Sequence, residues 1–379
     1  MKKNAINYLI LMAMMFAITS CSDEGYYNRD NLDTTWRLGS PRSGDVYIVG
    51  SIRNPDPHRG GEAAAIWKNG VIQHLTDWKQ GGQTAATSVF VSGNDVFVVG
   101  HEEEIKGLGT GIARLWKNGI AQYLPDSESR GGWRTSANSV LVYNNDVFVA
   151  GHTIVVDTVM FVFESGTVPI ARYSRIPTLW KNGVTQHLTD TSNRGTATSV
   201  FVANGNVYVA GTVEKANVGT VATVWKNGVM QHLTEFRSAA NSVFVHENEV
   251  FVVGHVREFA TLWRSGVENL IYGTPSTSAT SVFVSNGDVY VAGGFMHGSS
   301  SIGFHPRFWK NSIVQDLPFN RINDGRTRSV FVVGNDVYVI GSEENAFVNA
   351  RLWRNGVVQS PFNSYNSPNI EIRSIFVVE

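Results

Sequence analysis

The chain has 379 residues, 31 basic and 32 acidic, a formal net charge of −1, and one cysteine. Such balanced charge with no basic block argues against a nucleic-acid surface, and one cysteine excludes an internal disulfide. The length exceeds one ordinary domain, but a repeated unit accounts for it without a second fold.

Residues 1–21 read as a bacterial lipoprotein signal. Lys2 and Lys3 precede an apolar run over 8–18, too short for a comfortable membrane span. Ile18-Thr19-Ser20-Cys21 resembles a lipobox. The resemblance implies that Cys21 carries lipid and becomes the first residue of the mature chain, which removes two lysines and leaves a charge of about −3. Ser22-Asp23-Glu24 is similar to the export signal of surface-exposed lipoproteins. An outer-membrane, surface-exposed protein is therefore expected, with a periplasm-facing orientation as the alternative. Residues 22–43 are polar and are expected to be a flexible tether.

From residue 44 to 379 one unit is written seven times, marked by Trp67, Trp116, Trp180, Trp225, Trp263, Trp309 and Trp353. A fixed period of this kind signals a repeat architecture. Each unit opens on an apolar strand A, such as Ser199-Val200-Phe201-Val202. A turn follows, then a strand B ending on glycine twelve residues after the serine. Six serines, Ser88, Ser139, Ser199, Ser242, Ser281 and Ser329, keep that spacing to Gly100, Gly151, Gly211, Gly254, Gly293 and Gly341. The tryptophan opens a second hairpin, and in five copies Asn-Gly follows Trp-Lys or Trp-Arg, as expected of a type I′ turn. Each unit is thus four antiparallel strands, A to D. Strands A and B are nearly continuous apolar runs, the pattern of sheets covered on both faces. The chain ends on a strand A with no B, over 373–379, and begins on a strand B with no A, over 43–50. These readings predict an all-β, seven-bladed β-propeller closed by the C-terminal strand pairing into the N-terminal blade, with the tryptophans between blades.

The A–B and C–D turns share one face and vary little. The B–C and D–A connections share the other and vary widely, the longest running 29 residues from Gly151 to Trp180. Function tends to sit on variable loops held by a rigid scaffold. The stretch His152 to Thr178 reads as an extra hairpin on that face. Candidate ligand-binding residues there are Trp78, Trp133, Arg134, Arg194, Arg237, Tyr272 and Arg326, aromatic and arginine side chains suited to sugars, acidic glycans or peptides. Arg328 and Arg373 join them from a ring of residues preceding the strand-A serines: Thr87, Asn138, Thr198, Asn241, Thr280, Arg328 and Arg373. This ring could hold an anion or only satisfy backbone groups. Lys68, Lys117 and Lys181, beside the opposite turns, are expected to matter to neither ligand nor stability.

No catalytic residue is identifiable. His74, His187 and His232 recur on strand D and are expected to face solvent. His101, His152 and His255 follow the strand-B glycine without the carboxylate spacing of a metal site. No phosphate loop, serine elbow or zinc-protease motif occurs, so no cofactor and no metal are expected.

The repeat is similar to the Trp-Lys-Asn-Gly propeller repeats of bacterial surface lipoproteins and is kelch-like in outline, although a kelch double glycine appears only at Gly293-Gly294. That resemblance covers 44–379 and implies the fold and a membrane anchor; it brings no activity. The leading expectation is a monomeric, lipid-anchored envelope or cell-surface binding module with a glycan or envelope-protein partner. A polysaccharide-acting enzyme using the same face and a scaffold subunit remain the alternatives.

Overall fold

In a computed structural model of the chain, the residues described are 36–54, 60–77, 82–103, 111–126, 134–163, 166–271, 276–296, 304–315, 317–319, 324–344, 348–359 and 370–379. Seven four-stranded sheets, every pair antiparallel, make the seven-bladed propeller. Blade one is the composite: Ile370–Val377 is its inner strand A, followed by Val46–Arg53, Glu62–Lys68 and Val71–His74. Tyr47 pairs with Phe376 and Ile48 with Ile375. Gly44 N–H donates to the Val378 carbonyl at 2.8 Å, and Val378 N–H to Asp45 at 3.0 Å, so the two ends meet inside one turn, as expected. The inner strands of blades two to seven are Ala85–Ser92, Ser136–Tyr143, Gly195–Ala203, Ser238–His246, Thr277–Ser285 and Asp324–Val333.

The twelve-residue spacing has a steric cause. In every blade the A–B ladder slips by one residue just before the serine, for example between Ala197 and Ser199. That bulge drives a strand-A carbonyl onto the facing strand-B residue. A Cβ on Gly211 would lie 2.1 Å from the Thr196 oxygen, and one on Gly100 2.0 Å from that of Ala85. Only glycine lets the strands pass.

The Trp-Lys-Asn-Gly turn is also explained. Asn118 (φ 50°) and Gly119 (φ 78°) form a type I′ pair. The asparagine then reaches back to the A–B turn. Its Oδ1 accepts the Val96 N–H at 2.8 Å, its Nδ2 donates to Asp95 at 2.8 Å, and Lys117 pairs with the same carboxylate at 2.7 Å. The latch recurs at Asn182–Asp146–Lys181 and Asn311–Asp288–Lys310. In blade one it is more enclosed: Lys68 and Asp45 are 2.8 Å apart, each side chain 11% exposed.

Six of the repeat tryptophans are fully buried and Trp67 is 3% exposed. Each packs across a blade boundary: Trp116 joins Tyr47, Ile66 and Leu75 of blade one, and Trp225 joins Phe148 and Leu179 of blade three. Strand A corrects a simpler expectation. Its run is not covered alike on both faces but alternates between buried and half-buried. The valines either side of each phenylalanine enter the core between blades. The phenylalanines touch one another round the channel, Phe201–Phe244–Phe283–Phe331–Phe376–Phe90, with centroids 4.5–5.0 Å apart. Leu141 takes the seventh place.

The extra hairpin over His152 to Thr178 is a direct prolongation of strands B and C of blade three, Asp146–Phe163 with Gly166–Lys181, paired from Lys181 with Phe148 out to Gly166 with Phe163. The strand-D histidines only partly match expectation: His187 is exposed, but His74 and His232 are half-buried, and His232 meets the Thr223 hydroxyl at 3.0 Å. Residues 36–43, read as the end of a tether, lie against blades one and two, with Leu38 in their shared core. The lipobox, Cys21 and the rest of the tether lie outside the described residues.

Candidate functional site at the channel mouth

The inner strands expose an unpaired edge to the channel, and side chains of the preceding blade satisfy it. Six of the seven strand-A serine hydroxyls accept an N–H from the following blade, among them Ser139 from Val200 at 3.2 Å and Ser199 from Val243 at 3.2 Å, all between 3.2 and 3.4 Å. One residue earlier, the bulged side chain donates to the next blade's carbonyl. Thr87 reaches Ala137 at 2.7 Å, Asn138 reaches Ala197 at 2.8 Å, Thr198 reaches Ala240 at 2.7 Å, Asn241 reaches Ala279 at 2.7 Å, and Thr280 reaches Thr327 at 3.1 Å. For these five blades the ring is backbone chemistry, the second of the two readings of the sequence.

Blades seven and one break the pattern. Their ring residues are Arg328 and Arg373, and both turn to one carboxylate. Glu371 Oε1 accepts from Arg328 Nη2 at 2.9 Å and Oε2 from Arg373 Nη2 at 3.2 Å. Burial alone would raise the pKa of Glu371. Arg373, then Arg328 and Arg326, outweigh it and hold the group below the usual glutamate value. Two guanidiniums thus bond to one carboxylate at the B–C/D–A mouth, and a third adds to the positive field around it. Arg326 is exposed, and the Arg328, Arg373 and Glu371 side chains are about a third exposed. The Arg373 Nε is buried without a hydrogen-bond partner. His101 stands beside this group; burial, with help from Arg373 and Arg134, pushes its pKa down to about 4, so it is neutral near pH 7. His152 is pushed down to about 3 by burial and by Arg175, and its Nε2 lies 3.0 Å from the Arg134 carbonyl.

The other candidates fall elsewhere. Arg134 opens blade three and is held by Gln83 at 2.8 Å and Glu103 at 3.5 Å. Arg194 and Arg237 open blades four and five, half-buried and exposed respectively; neither is among the arginines acting on Glu371. Arg237 instead adds to the field that lowers the His255 pKa, after burial. Trp78, Trp133 and Tyr272 lie outside the described residues. Glu371 was missed by sequence reasoning. Its signal was an acidic residue two places before Arg373, where the other inner strands carry Ala, Ser, Thr or Arg. Among the described residues no three histidine, cysteine or acidic side chains cluster as metal ligands do.

No family model matches the chain, and no curated protein matches it. Solved structures do. Pyrococcus horikoshii acylaminoacyl peptidase, uncomplexed, is 14% identical with a TM-score of 0.50, over 89% of this chain and 55% of that one. A Mycobacterium tuberculosis puromycin-hydrolyzing peptidase is 11% identical, TM-score 0.47, over 89% and 55%. A Trypanosoma rangeli sialidase mutant is 8% identical, TM-score 0.45, over 85% and 54%. The chain spans about half the length of each, and at such identities the likeness is one of fold.

Proposed function

We propose that the chain is a binding module, carried on a lipid anchor at Cys21, that takes an acidic glycan or peptide at the channel mouth on the variable-loop face. The observation that carries this reading is the break in the ring. Five blades spend the bulged residue on pinning their neighbour, whereas two adjacent blades place arginines there that converge on Glu371. Guanidinium forks suit carboxylate and sulfate groups, each able to give two parallel hydrogen bonds. A ligand anion would share Arg328 and Arg373 with Glu371. Glu371, tied between two arginines and held ionised, is poorly suited to act as a general acid, which favours binding over glycan cleavage.

The test uses the Cys21→Ser protein and calorimetry against carboxylated, sulfated and neutral oligosaccharides and an acidic peptide. Acidic ligands should bind, and Arg328→Gln or Arg373→Gln should weaken them by about tenfold or more. Equal affinity for neutral sugars, or wild-type affinity in both variants, would reject the reading.

A further inference from the structure

On the opposite face, neighbouring blades form grooves between the C–D turn of one blade and strand D of the blade before. Between blades one and two the chain fills this groove with its own Trp36-Arg37-Leu38-Gly39. Leu38 is buried with Tyr47, Ile66 and Leu75. Trp36 covers the turn glycine so closely that a Cβ on Gly119 would be 3.0 Å from its ring. Gln73 Oε1 accepts the Arg37 N–H at 3.0 Å, and Lys68 Nζ donates to the Leu38 and Ser40 carbonyls at 3.0 and 2.9 Å. The indole N–H returns to the Gly39 carbonyl at 3.3 Å, closing the segment into a turn.

The repeat builds the same walls again. Between blades two and three they enclose about 560 Å³, lined by Phe97, Leu115, Lys117, Gln122, Leu124 and Gly183. These are the repeat counterparts, in order, of Tyr47, Ile66, Lys68, Gln73, Leu75 and Gly119. Between blades six and seven about 460 Å³ is lined by Tyr290, Lys310, Gln315 and Gly356. The filled groove therefore states what its copies accept: an indole on the turn glycine, a leucine in the inter-blade core, and a backbone held by one glutamine amide and one lysine ammonium.

We propose that these two grooves dock segments of a partner protein of the Trp-x-Leu-Gly type. This interaction is independent of the channel mouth and lies on the other face, so the two do not compete.

The probe is the acetylated, amidated peptide Trp-Arg-Leu-Gly-Ser-Pro-Arg, a copy of residues 36–42, titrated into the Cys21→Ser protein with hydrogen exchange as the map. Saturable binding is expected, with protection around Gln122 and Gly183 and around Gln315 and Gly356. Peptides with Trp or Leu changed to Ala should bind at least about tenfold more weakly. Gln122→Ala should weaken the blade two–three site about threefold to tenfold and leave the blade six–seven site alone. Absence of saturation, equal binding of the alanine peptides, or protection confined to blades one and two would each overturn the proposal. So would self-association of the chain that the peptide dissolves, which would make the occupant a second copy.

Discussion

At the scale of single residues, three changes separate structural from surface roles. Gly211→Ala places a methyl onto the Thr196 carbonyl and should cost at least about 2 kcal/mol in chemical denaturation; a wild-type midpoint would mean the bulge can relax. The lysines divide, against the expectation that none matters. Lys68→Met leaves Asp45 enclosed without its counter-ion, held only by Asn69 and the Arg42 N–H, and should cost about 3 kcal/mol. Lys117→Met breaks a pair whose side chains are 41% and 38% exposed and should cost under about 1 kcal/mol. The pH dependence follows. Burial pushes the Asp45 pKa up, but Lys68, Asn69 and the Arg42 N–H outweigh it and hold the value below the ordinary one. A depressed carboxylate contributes stability above its unfolded pKa and loses it as pH falls through the folded one. The Lys68→Met deficit should therefore shrink below about pH 4. A deficit that stays constant into acid would contradict the ion-pair account.

At the scale of elements, the hairpins were legible because their information is local. The Asn-Gly turns and fixed serine–glycine spacing state both turns of each blade within a few residues. The tryptophans between blades were legible as well, but the polar bonds that join one inner strand to the next were not. Five of the serine hydroxyls bond to N–H groups 40–61 residues away in sequence, and Ser374 to one 285 away, and nothing near a serine says so. Ser199→Ala should orphan the Val243 N–H and cost about 1 kcal/mol, read as a lower thermal midpoint; an unchanged midpoint would show that the channel edge is satisfied by other means. Similarly, Arg328 and Arg373 could be named from their ring positions, but their convergence on Glu371 depends on three-dimensional closure. Trp36 and Leu38 were read with the polar run around them, although two large apolar residues inside a tether were the signal that the run had ended.

At the scale of the whole molecule, closure by Ile370–Val377 makes the last strand the inner edge of blade one. Deleting residues 374–379 should leave that edge open and yield aggregation or loss of cooperative melting; a truncated chain that melts like the parent would refute the closure argument. With residues 36–43 seated on the face of the A–B and C–D turns, the chain between Cys21 and Trp36 reaches at most about 50 Å fully extended. If Cys21 is lipidated, that reach sets how far the propeller can stand from the membrane. Cys21→Ser should release it from the membrane fraction, and unchanged membrane association would remove the anchor from the account.

The measurement that bears most directly on the arginine mouth compares Glu371→Gln with Arg373→Gln, using the tightest acidic ligand from the calorimetric series and a thermal melt of each variant. Both changes disturb the same ion pair, yet they move the charge in opposite directions. If the mouth binds anions, Glu371→Gln tightens the ligand and steepens its salt dependence, while Arg373→Gln weakens it and flattens that dependence. Equal weakening in both variants, with both still folded, would mean that the cluster only holds blades seven, one and two together.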